Sequence, residues 1–232
     1  MVPAFNEEAL LPGSLAAIRA AMAAFDDAEL IVCDNNSTDR TAEIARAAGA
    51  KVVFEPVNQI GRARNTAAAH AVGDWLVFVD ADSHPSHALF AQAADAMTSG
   101  RCLAGGSTVQ MIDGRRLGDA MVAGWNAISV VTRWAAGAFI FVDAAAFRAV
   151  GGFSSHLYAT EEIDLFRKLK RQARSQRRRV VILRGHPLRT SGRKMRLYTP
   201  FELVTLLVRT ALSGGRTLRR AEDCFVWYDG RR

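Results

Sequence analysis

The chain has 232 residues, of which 50% are hydrophobic and 23% are charged. This length and composition fit one globular domain with a proper core and exclude an intrinsically disordered chain. Residues 1–150 carry 11 Lys/Arg against 16 Asp/Glu, a net charge of −5, whereas residues 151–232 carry 19 against 7, a net charge of +12. Such asymmetry points to an anionic partner near the C-terminal part, with a solvated basic face as the plainer interpretation.

The cysteines and the hydropathy pattern indicate the compartment. Cys33, Cys102 and Cys224 are odd in number and form no CxxC pair, so the sequence indicates neither a disulfide framework nor a zinc site. The opening Met1-Val2-Pro3 has no signal-peptide features, and no run reaches 18 apolar residues without a charge. We therefore expect a cytoplasmic protein without a membrane span.

The first 85 residues alternate strand-like and helix-like segments. The predicted strands are Met1–Ala4, Leu30–Cys33, Lys51–Phe54 and Trp75–Val79, and the predicted helices are Glu8–Ala24, a segment from the capping residues Asn36–Asp39 to about Ala48, and Arg62–Ala71. This βαβαβαβ order implies an α/β fold with a mainly parallel sheet and right-handed crossovers. In such sheets ligands bind beyond the carboxyl ends of the strands.

The second half is less regular. Strands are predicted at 103–109, 138–143 and 180–183, and helices at Thr160–Gln172 and Pro200–Leu212. We divide the chain into a domain at residues 1–195, with halves at 1–100 and 101–195, and a helical basic C-terminal extension at residues 196–232.

Three polar clusters follow directly after predicted strands. They are Asn6-Glu7-Glu8, Asp34-Asn35-Asn36 and Asp80-Ala81-Asp82. Two carboxylates one residue apart beyond a buried strand are able to reach one hard cation such as Mg²⁺ or Mn²⁺, which a diphosphate leaving group needs. The D-x-D triplet is commonly a solvated turn, but its position at a strand end favours a metal site.

Other side chains at this edge suit a nucleotide. Asp34 is able to accept a hydrogen bond from a base or a ribose, and Glu7 is able to serve the ribose, although both residues also suit helix capping. Arg62 and Arg64 open the third predicted helix, and arginines at a helix N-terminus form a natural phosphate site. Because these arginines are only two positions apart, one of them should face solvent.

A second acidic group opens a later helix. Glu161, Glu162 and Asp164 lie in its first turn, where acids complement the helix dipole. A carboxylate there, across the cleft from the metal site, is also placed to act as general base toward an attacking hydroxyl. After the last strand, a basic run that includes Arg193 is able to cover a diphosphate, with an ordinary basic loop as the alternative interpretation.

Taken in order, these motifs resemble glycosyltransferase family 2 of the GT-A fold. The motifs that carry the resemblance are Val2–Glu8, Val32–Thr41, Ala63–Asn65, Gly73–Asp82, Gly151–Phe153, Glu161–Leu165 and Thr190–Arg193. The match spans about residues 2 to 194 in the family's order. The resemblance implies a Rossmann-like GT-A domain that moves a sugar, with inversion and with Mn²⁺ or Mg²⁺, from a nucleotide-diphosphate sugar to a hydroxyl acceptor.

The resemblance also implies a role for each site residue. Nucleotide and diphosphate binding is expected of Pro3, Phe5, Glu7, Asp34, Arg64, Asp80 and Arg193. Asp82 is expected to be the direct metal ligand, with Asp80 beside it. Glu162 matches the position of the catalytic base, Glu161 stays open as the alternative, and Asp164 is next in line.

Two other functions compete with this interpretation. A nucleotidyltransferase of related fold needs a Gly-rich loop after the first strand, whereas no glycine occurs here before Gly13. A non-catalytic basic module would bind nucleic acid or membrane through residues 167–179, but no aromatic residues are interleaved there, so we expect no nucleic acid.

The acceptor stays open, and a lipid-linked acceptor is one option. An apolar stripe at residues 201–212 lies beside several arginines, and such a helix is able to lie in a headgroup layer. This stripe predicts peripheral contact with the inner face of the membrane, and the alternative is that it packs on the sheet.

Overall fold

The structure, a computed structural model, describes residues 1–113, 116–193, 197, 202, 205, 216–224 and 228. Its strands are β1 (Val2–Ala4), β2 (Ile31–Asp34), β3 (Lys51–Phe54), β4 (Trp75–Val79), β5 (Ser83–His84), β6 (Cys102–Met111), β7 (Phe139–Asp143) and β8 (Arg179–Thr190). Its α-helices are α1 (Leu11–Met22), α2 (Thr41–Ala47), α3 (Ile60–Ala69), α4 (His87–Thr98), α5 (Arg116–Thr132), α6 (Ala144–Ala149) and α7 (Glu161–Ser175). Two short 3-10 helices lie at Arg216–Arg219 and Glu222–Cys224.

The first half forms a parallel sheet in the order β1-β2-β3. The other strands are arranged β4-β7-β6-β8-β5, and Met1 joins the two parts. The amino group of Met1 donates to the Val77 carbonyl at 2.7 Å, and the Val79 N–H donates to the Met1 carbonyl at 3.0 Å. The predicted α/β fold with a mainly parallel sheet is therefore confirmed.

The direction of β7 was not predicted. This strand lies between β4 and β6 and runs antiparallel to both, while β6 and β8 pair in parallel. Residues Phe139 to Val142 are all buried. A strand buried on both faces has a continuous apolar sequence in either direction, so its pattern does not show which way it runs.

Helices cover both faces of the sheet and create two main cores. One core joins α1 and α4 to the sheet and includes Leu15, Leu89, Phe90, Phe139 and Phe141. The other joins α6 and α7 to the sheet and includes Phe78, Phe147, Phe153, Leu165 and Phe166. The layers position the strand ends and leave the loops after β1, β2 and β4 at one edge.

Several element boundaries agree with the sequence and others do not. Strands β3 and β4 have the predicted bounds, whereas β8 extends to Thr190 rather than ending at residue 183. Helices α4, α5 and α6 were not predicted. The predicted helix Pro200–Leu212 lies outside the described residues except for positions 202 and 205. Within the described part of the chain, the helices are too short or too polar to cross a membrane.

Candidate functional site

The loops after β1 and β2 are bonded to each other. The Asn6 side-chain oxygen accepts a hydrogen bond from the Thr38 N–H at 2.8 Å, and the Asn6 N–H donates to the Ser37 hydroxyl at 3.0 Å. The Glu7 N–H donates to the Thr41 hydroxyl at 2.8 Å. Asn6 and Asn36 both have positive φ angles, of 50° and 68°, which asparagine tolerates better than most residues. The two polar clusters therefore form one cross-linked rim.

Asp34 lies at the base of this rim. It is buried, and its Oδ1 accepts a hydrogen bond from the Ser37 N–H at 3.0 Å, which orders the turn before α2. Asp34 is not the N-cap of that helix, the role that the sequence left open beside nucleotide binding. The neighbouring Asn35 is buried too and orders the loop before α3. Its Oδ1 accepts from the Gln59 N–H at 2.9 Å, and its Nδ2 donates to the Val57 carbonyl at 2.6 Å.

Arg193 crosses from the end of β8 to the rim. Its two terminal nitrogens donate to the two carboxylate oxygens of Glu7 at 2.9 and 2.6 Å, a bidentate ion pair that is largely buried. One of the same nitrogens lies 4.0 Å from Oδ2 of Asp82. The structure thus brings Arg193 to Glu7 and Asp82, from each of which it is separated by more than a hundred residues in the sequence. A cavity of about 390 Å³ opens beside Arg193, against Asn6 and Asp39.

Asp82 offers the chemistry of a hard-cation site. Its Oδ1 lies 3.4 Å from the Thr190 and Ser83 hydroxyls, so the local donors are oxygen atoms of the kind that Mg²⁺ and Mn²⁺ prefer. Among the described residues, no group of three or more His, Cys, Asp or Glu side chains is arranged to hold a metal ion. The metal role predicted for Asp82 and Asp80 stays a prediction.

Arg64 lies beneath the site. It is 1% exposed, and one terminal nitrogen donates to Oε1 of Glu161 at 2.8 Å. The other donates to Oδ1 of Asp80 at 2.9 Å and to the Gly137 carbonyl at 2.9 Å. Its guanidinium also lies 5.2 Å from the centroid of the Phe153 ring. This one cation therefore joins the D-x-D triplet after β4 to the start of α7.

Gly137 and the Gly152 turn make room for this arrangement. A Cβ atom on Gly137 would stand 3.0 Å from a terminal nitrogen of Arg64. Gly152 has a φ of +64°, and a Cβ there would stand 2.6 Å from the Asn65 side-chain oxygen, which accepts from the Phe153 N–H. The Gly-Gly-Phe turn thus packs against α3 beside Arg64.

Both terminal nitrogens of Arg64 are bonded to protein oxygens, and the phosphate role predicted for this residue stays a prediction. Arg62 is half-buried, and its Nε donates to the Gln59 side chain at 3.0 Å. The more exposed of the two arginines is therefore Arg62. The sequence did not predict that Arg64 would be buried between the carboxylates of Asp80 and Glu161.

Glu161 and Glu162 border a cavity of about 330 Å³. Burial, followed by the charge of Glu162, raises the pKa of Glu161 to about 8, although Arg64 opposes the shift. The pKa of Glu162 is also raised, again mainly by burial and against the effect of Arg64. One guanidinium does not balance three carboxylates, so the pair of glutamates retains a proton at a pH where ordinary glutamates are ionised.

The three acids of α7 are not equivalent. Glu161 is buried against Arg64, Glu162 is half-buried and faces the cavity, and Asp164 forms an ion pair with Lys168 at 2.7 Å. Thr160, directly before them, has a φ of 62°. That left-handed conformation is strained for a β-branched residue and turns the chain sharply into α7.

Two cavity residues, Trp125 and Tyr158, were not anticipated from the sequence, and a third, Thr190, belongs to the late motif Thr190–Arg193 but was given no role of its own. Trp125, Tyr158 and Thr190 line the cavity together with Asp80 and Glu162. Trp125 lies on α5, a helix that was not predicted, and Tyr158 lies in a loop without a motif. The only available signal was the position of Tyr158 three residues before the acidic group.

Part of the predicted C-terminal extension, residues 196–232, also contacts the residues that line this cavity. The Tyr158 N–H donates to the Leu218 carbonyl at 2.7 Å, and the Tyr158 and Tyr228 rings meet edge to face with centroids 5.3 Å apart. The Ile60 N–H donates to the Tyr228 hydroxyl at 3.3 Å. Leu218 and Tyr228 of the extension therefore pack on the domain beside the cavity.

A layered α/β domain with a carboxylate pair at the end of β4, and with a second acidic group across a cavity, has the architecture of the GT-A glycosyltransferases. Residues 1–141 match Glycosyl transferase family 2. Since this match covers more than half of the chain, the protein belongs to that family.

Curated relatives match over shorter segments. An uncharacterized glycosyltransferase of Mycobacterium tuberculosis is 42% identical over 82 residues, which are 35% of this chain and 35% of that protein. The 4,4'-diaponeurosporenoate glycosyltransferase of Staphylococcus haemolyticus is 39% identical over 89 residues, 35% of this chain and 23% of that protein. A TPR repeat-containing protein of Synechococcus elongatus is 42% identical over 78 residues, 33% of this chain and 18% of that protein. The matched segments thus span about a third or less of these relatives.

Solved structures share the fold at low identity. S. aureus TarS 1–349 in complex with UDP-GlcNAc has a TM-score of 0.64 at 20% identity, covering 100% of this chain and 72% of that one. Glucosyl-3-phosphoglycerate synthase from Mycobacterium tuberculosis, with Mn²⁺, UDP-glucose and phosphoglyceric acid, has a TM-score of 0.63 at 21% identity, covering 92% and 76%. A mannosyltransferase from Pyrobaculum calidifontis, with GDP-Man and Mn²⁺, has 0.62 at 19%, covering 91% and 60%.

Proposed function

We propose that this protein is an inverting glycosyltransferase that moves a sugar from a nucleotide-diphosphate sugar to a hydroxyl acceptor. The observation that carries the proposal is the facing of two acidic groups across one cavity. Asp80 of the D-x-D triplet and Glu162 of α7 line the same 330 Å³ space. Membership of glycosyltransferase family 2 supports the reaction class.

The donor would lie across the carboxyl ends of β1, β2 and β4. In this proposal Pro3, Phe5, Glu7 and Asp34 surround the nucleoside, and Arg193, which is paired with Glu7, reaches the diphosphate. The cross-linked rim of Asn6 and Thr38 supports it, because it fixes these residues before any ligand arrives. Residues 1–100 would then be the nucleotide-binding half and residues 101–195 the acceptor half.

A divalent cation would be held by Asp82, with Asp80 behind it. Mn²⁺ or Mg²⁺, when bound, would neutralise charge that develops on the departing diphosphate. The oxygen donors around Asp82 fit that ion. Asp80 accepts a hydrogen bond from Arg64, and this bond would fix the position of the Asp80 carboxylate beside the cation.

Glu162 would take the proton of the attacking hydroxyl. The acceptor oxygen forms a bond to the anomeric carbon as the bond from that carbon to the diphosphate oxygen breaks, and the hydroxyl proton passes to the Glu162 carboxylate. A single displacement of this kind inverts the anomeric centre. The raised pKa of Glu162 suits a general base that works near neutral pH.

For the acceptor and for the cellular location of the protein, we propose only a class of molecule and a contact with the membrane. An acceptor hydroxyl would enter beside Trp125 and Tyr158, which line the same cavity as Asp80 and Glu162. A lipid-linked acceptor and peripheral contact with the inner face of the membrane fit the positive charge of residues 151–232. The apolar stripe at residues 201–212, from which the sequence suggested that contact, lies outside the described residues.

Thermal denaturation with a panel of nucleoside diphosphates tests the donor site. We expect UDP or GDP with Mn²⁺ to raise the melting temperature, by mass action on the folded state. Asp82→Ala should remove the Mn²⁺-dependent part of that shift. Glu43→Ala, which changes an exposed carboxylate of α2, should leave it intact. If no nucleotide shifts the wild type with or without Mn²⁺, the proposed donor site is wrong.

A further inference from the structure

The outer face of α5 is apolar and open to solvent. Between Ala120 and Val131 the helix carries no charged side chain. The exposed residues of that stretch are Ala120, Met121, Ala123, Gly124, Ala127, Ile128 and Val131. Val131 is 83% exposed, Ile128 49% and Met121 44%. A surface helix ordinarily turns charged and polar residues to solvent, so this outer face indicates a surface that another body covers.

The inner face of α5 is held firmly, so the outer face cannot rotate into the core. The Asn126 side chain accepts from the Val109 N–H and donates to the Val109 carbonyl, both at 2.9 Å. The Ser129 hydroxyl donates to the Trp134 carbonyl at 2.6 Å. Val122 and Trp125 pack against the core between the sheet and α1 and α4.

Four cations gather at the C-terminal end of the outer face. The Lys170 ammonium donates to the Thr132 carbonyl, the last residue of α5. Arg167 and Lys170 lie over the Trp134 ring at 5.4 and 5.2 Å from its centroid. The pKa of Lys170 is lowered, first by its partial burial and then by the charges of Arg133, Arg174 and Arg167. We call Arg133, Arg167, Lys170 and Arg174 the basic group.

We propose that the outer face of α5 and the basic group dock together on the surface of an anionic lipid bilayer. The apolar residues would enter the boundary between headgroups and acyl chains, and the cations would pair with anionic headgroups. Charge decides between a bilayer and a second copy of this chain. A bilayer supplies anionic headgroups to the basic group, whereas the outer face of α5 in a second copy, from Ala120 to Val131, has no carboxylate to pair with it.

Docking in this orientation would place the catalytic cavity at the membrane surface. Trp125 projects from the inner side of α5 into the cavity that Glu161 and Glu162 border. A hydroxyl carried by a lipid or by a lipid-linked molecule would then approach along α5. This consequence for the acceptor rests on the proposed function, whereas the docking itself does not.

Co-sedimentation of the full chain with vesicles tests the docking. We expect binding to vesicles of equal parts phosphatidylcholine and phosphatidylglycerol at low salt, and much weaker binding at high salt or to phosphatidylcholine alone. The double substitution Ile128→Asp with Val131→Asp should abolish most of it. Arg133→Gln with Arg174→Gln should weaken it about tenfold or more, since each basic residue contributes near an anionic surface.

Matched controls lie elsewhere on the surface. Val72→Asp changes a side chain that is 86% exposed outside α5, and Arg46→Gln changes an exposed arginine of α2, so neither should alter vesicle binding. Thermal denaturation with nucleoside diphosphate, run on every variant, should show an intact fold and an unchanged donor site. A loss of nucleotide binding would thus be separable from a loss of docking.

Three results would overturn the proposal. The first is a wild type that stays in the supernatant with anionic vesicles at low salt. The second is an Ile128/Val131 double variant that binds vesicles as well as the wild type does, which would assign binding to another surface. The third is a wild type that is a dimer in solution and becomes monomeric in the double variant while vesicle binding is unchanged, which would assign the outer face to a second copy.

Discussion

Three carboxylates surround one buried guanidinium at the centre of the site. Arg64 contacts Asp80 and Glu161 directly, and Glu162 lies beside Glu161. The sequence predicted carboxylates on both sides of a cleft, and in the structure Asp80, Glu161 and Glu162 line one cavity, while their roles stay predictions. It did not predict that Arg64 joins them, because an arginine at a helix N-terminus suits a phosphate as well as a carboxylate, and only the tertiary fold decides.

Arg64→Met tests how far stability depends on this one cation. The substitution keeps a long apolar side chain but leaves buried carboxylates without a partner, so we expect it to lower the free energy of unfolding by about 3–5 kcal/mol. Urea denaturation would measure the change. Arg62→Met, two residues earlier on a half-buried side chain, is the matched control and should cost much less. Equal losses in both variants would contradict the central role of Arg64.

Glu161 should make stability depend on pH in an unusual direction. Its pKa in the folded protein is raised to about 8 from an ordinary value of 4.5. The folded state therefore binds this proton more tightly than the unfolded state does. The resulting stability is fully present below about pH 4.5 and is lost as the pH rises through about 8.

Glu161→Gln should remove that dependence, because the amide does not titrate and its oxygen is still able to accept from Arg64. Urea denaturation at a series of pH values would show the wild type losing stability with rising pH and the variant changing less. The two proteins would converge in acid. Parallel curves for the two would show that Glu161 does not carry the proton, and Glu43→Gln on α2 should behave as the wild type does.

At the scale of elements, local sequence predicted the first half better than the second. Strands β3 and β4 were predicted with their observed bounds because short β-branched or aromatic runs lie between clear turn signals. Helix α5 was missed, since its exposed face is apolar and so lacks the amphipathic pattern that identifies a surface helix. The antiparallel β7 was missed because its direction depends on which strands it separates.

The left-handed Thr160 is the strained link between two elements, the loop at Tyr158 and helix α7. Thr160→Gly should relieve that strain, whereas Thr160→Ala keeps a Cβ in the left-handed region. We expect the glycine variant to be more stable than the alanine variant by about 1 kcal/mol, the usual penalty of a left-handed residue that has a Cβ. Urea denaturation of the pair would measure it. An alanine variant that is equally or more stable would show that the position is unstrained.

The whole molecule combines an acidic first half with a basic second half. The boundary expected between the domain and the C-terminal extension, at residues 195 and 196, stays a prediction. Within the extension, Leu218 and Tyr228 contact the domain at Tyr158 and Ile60. Composition predicted the charge asymmetry and an anionic partner. The placement of four cations at the end of α5 required the fold, because Arg133 and Arg174 are distant in sequence.

The measurement that tests the proposed function most directly is donor cleavage by the wild type and by Glu162→Gln. The assay would follow release of nucleoside diphosphate from the nucleotide sugar whose diphosphate stabilises the protein, with Mn²⁺ and a membrane extract as the source of acceptor. We expect the wild type to release it and the variant to be slower by about 10²–10⁴-fold, the usual effect of losing a general base. Nucleotide binding should be unchanged in the variant. Equal rates in the two proteins, or a wild type that binds nucleotide but leaves the sugar–diphosphate bond of every donor intact, would contradict a glycosyltransferase with Glu162 as its base.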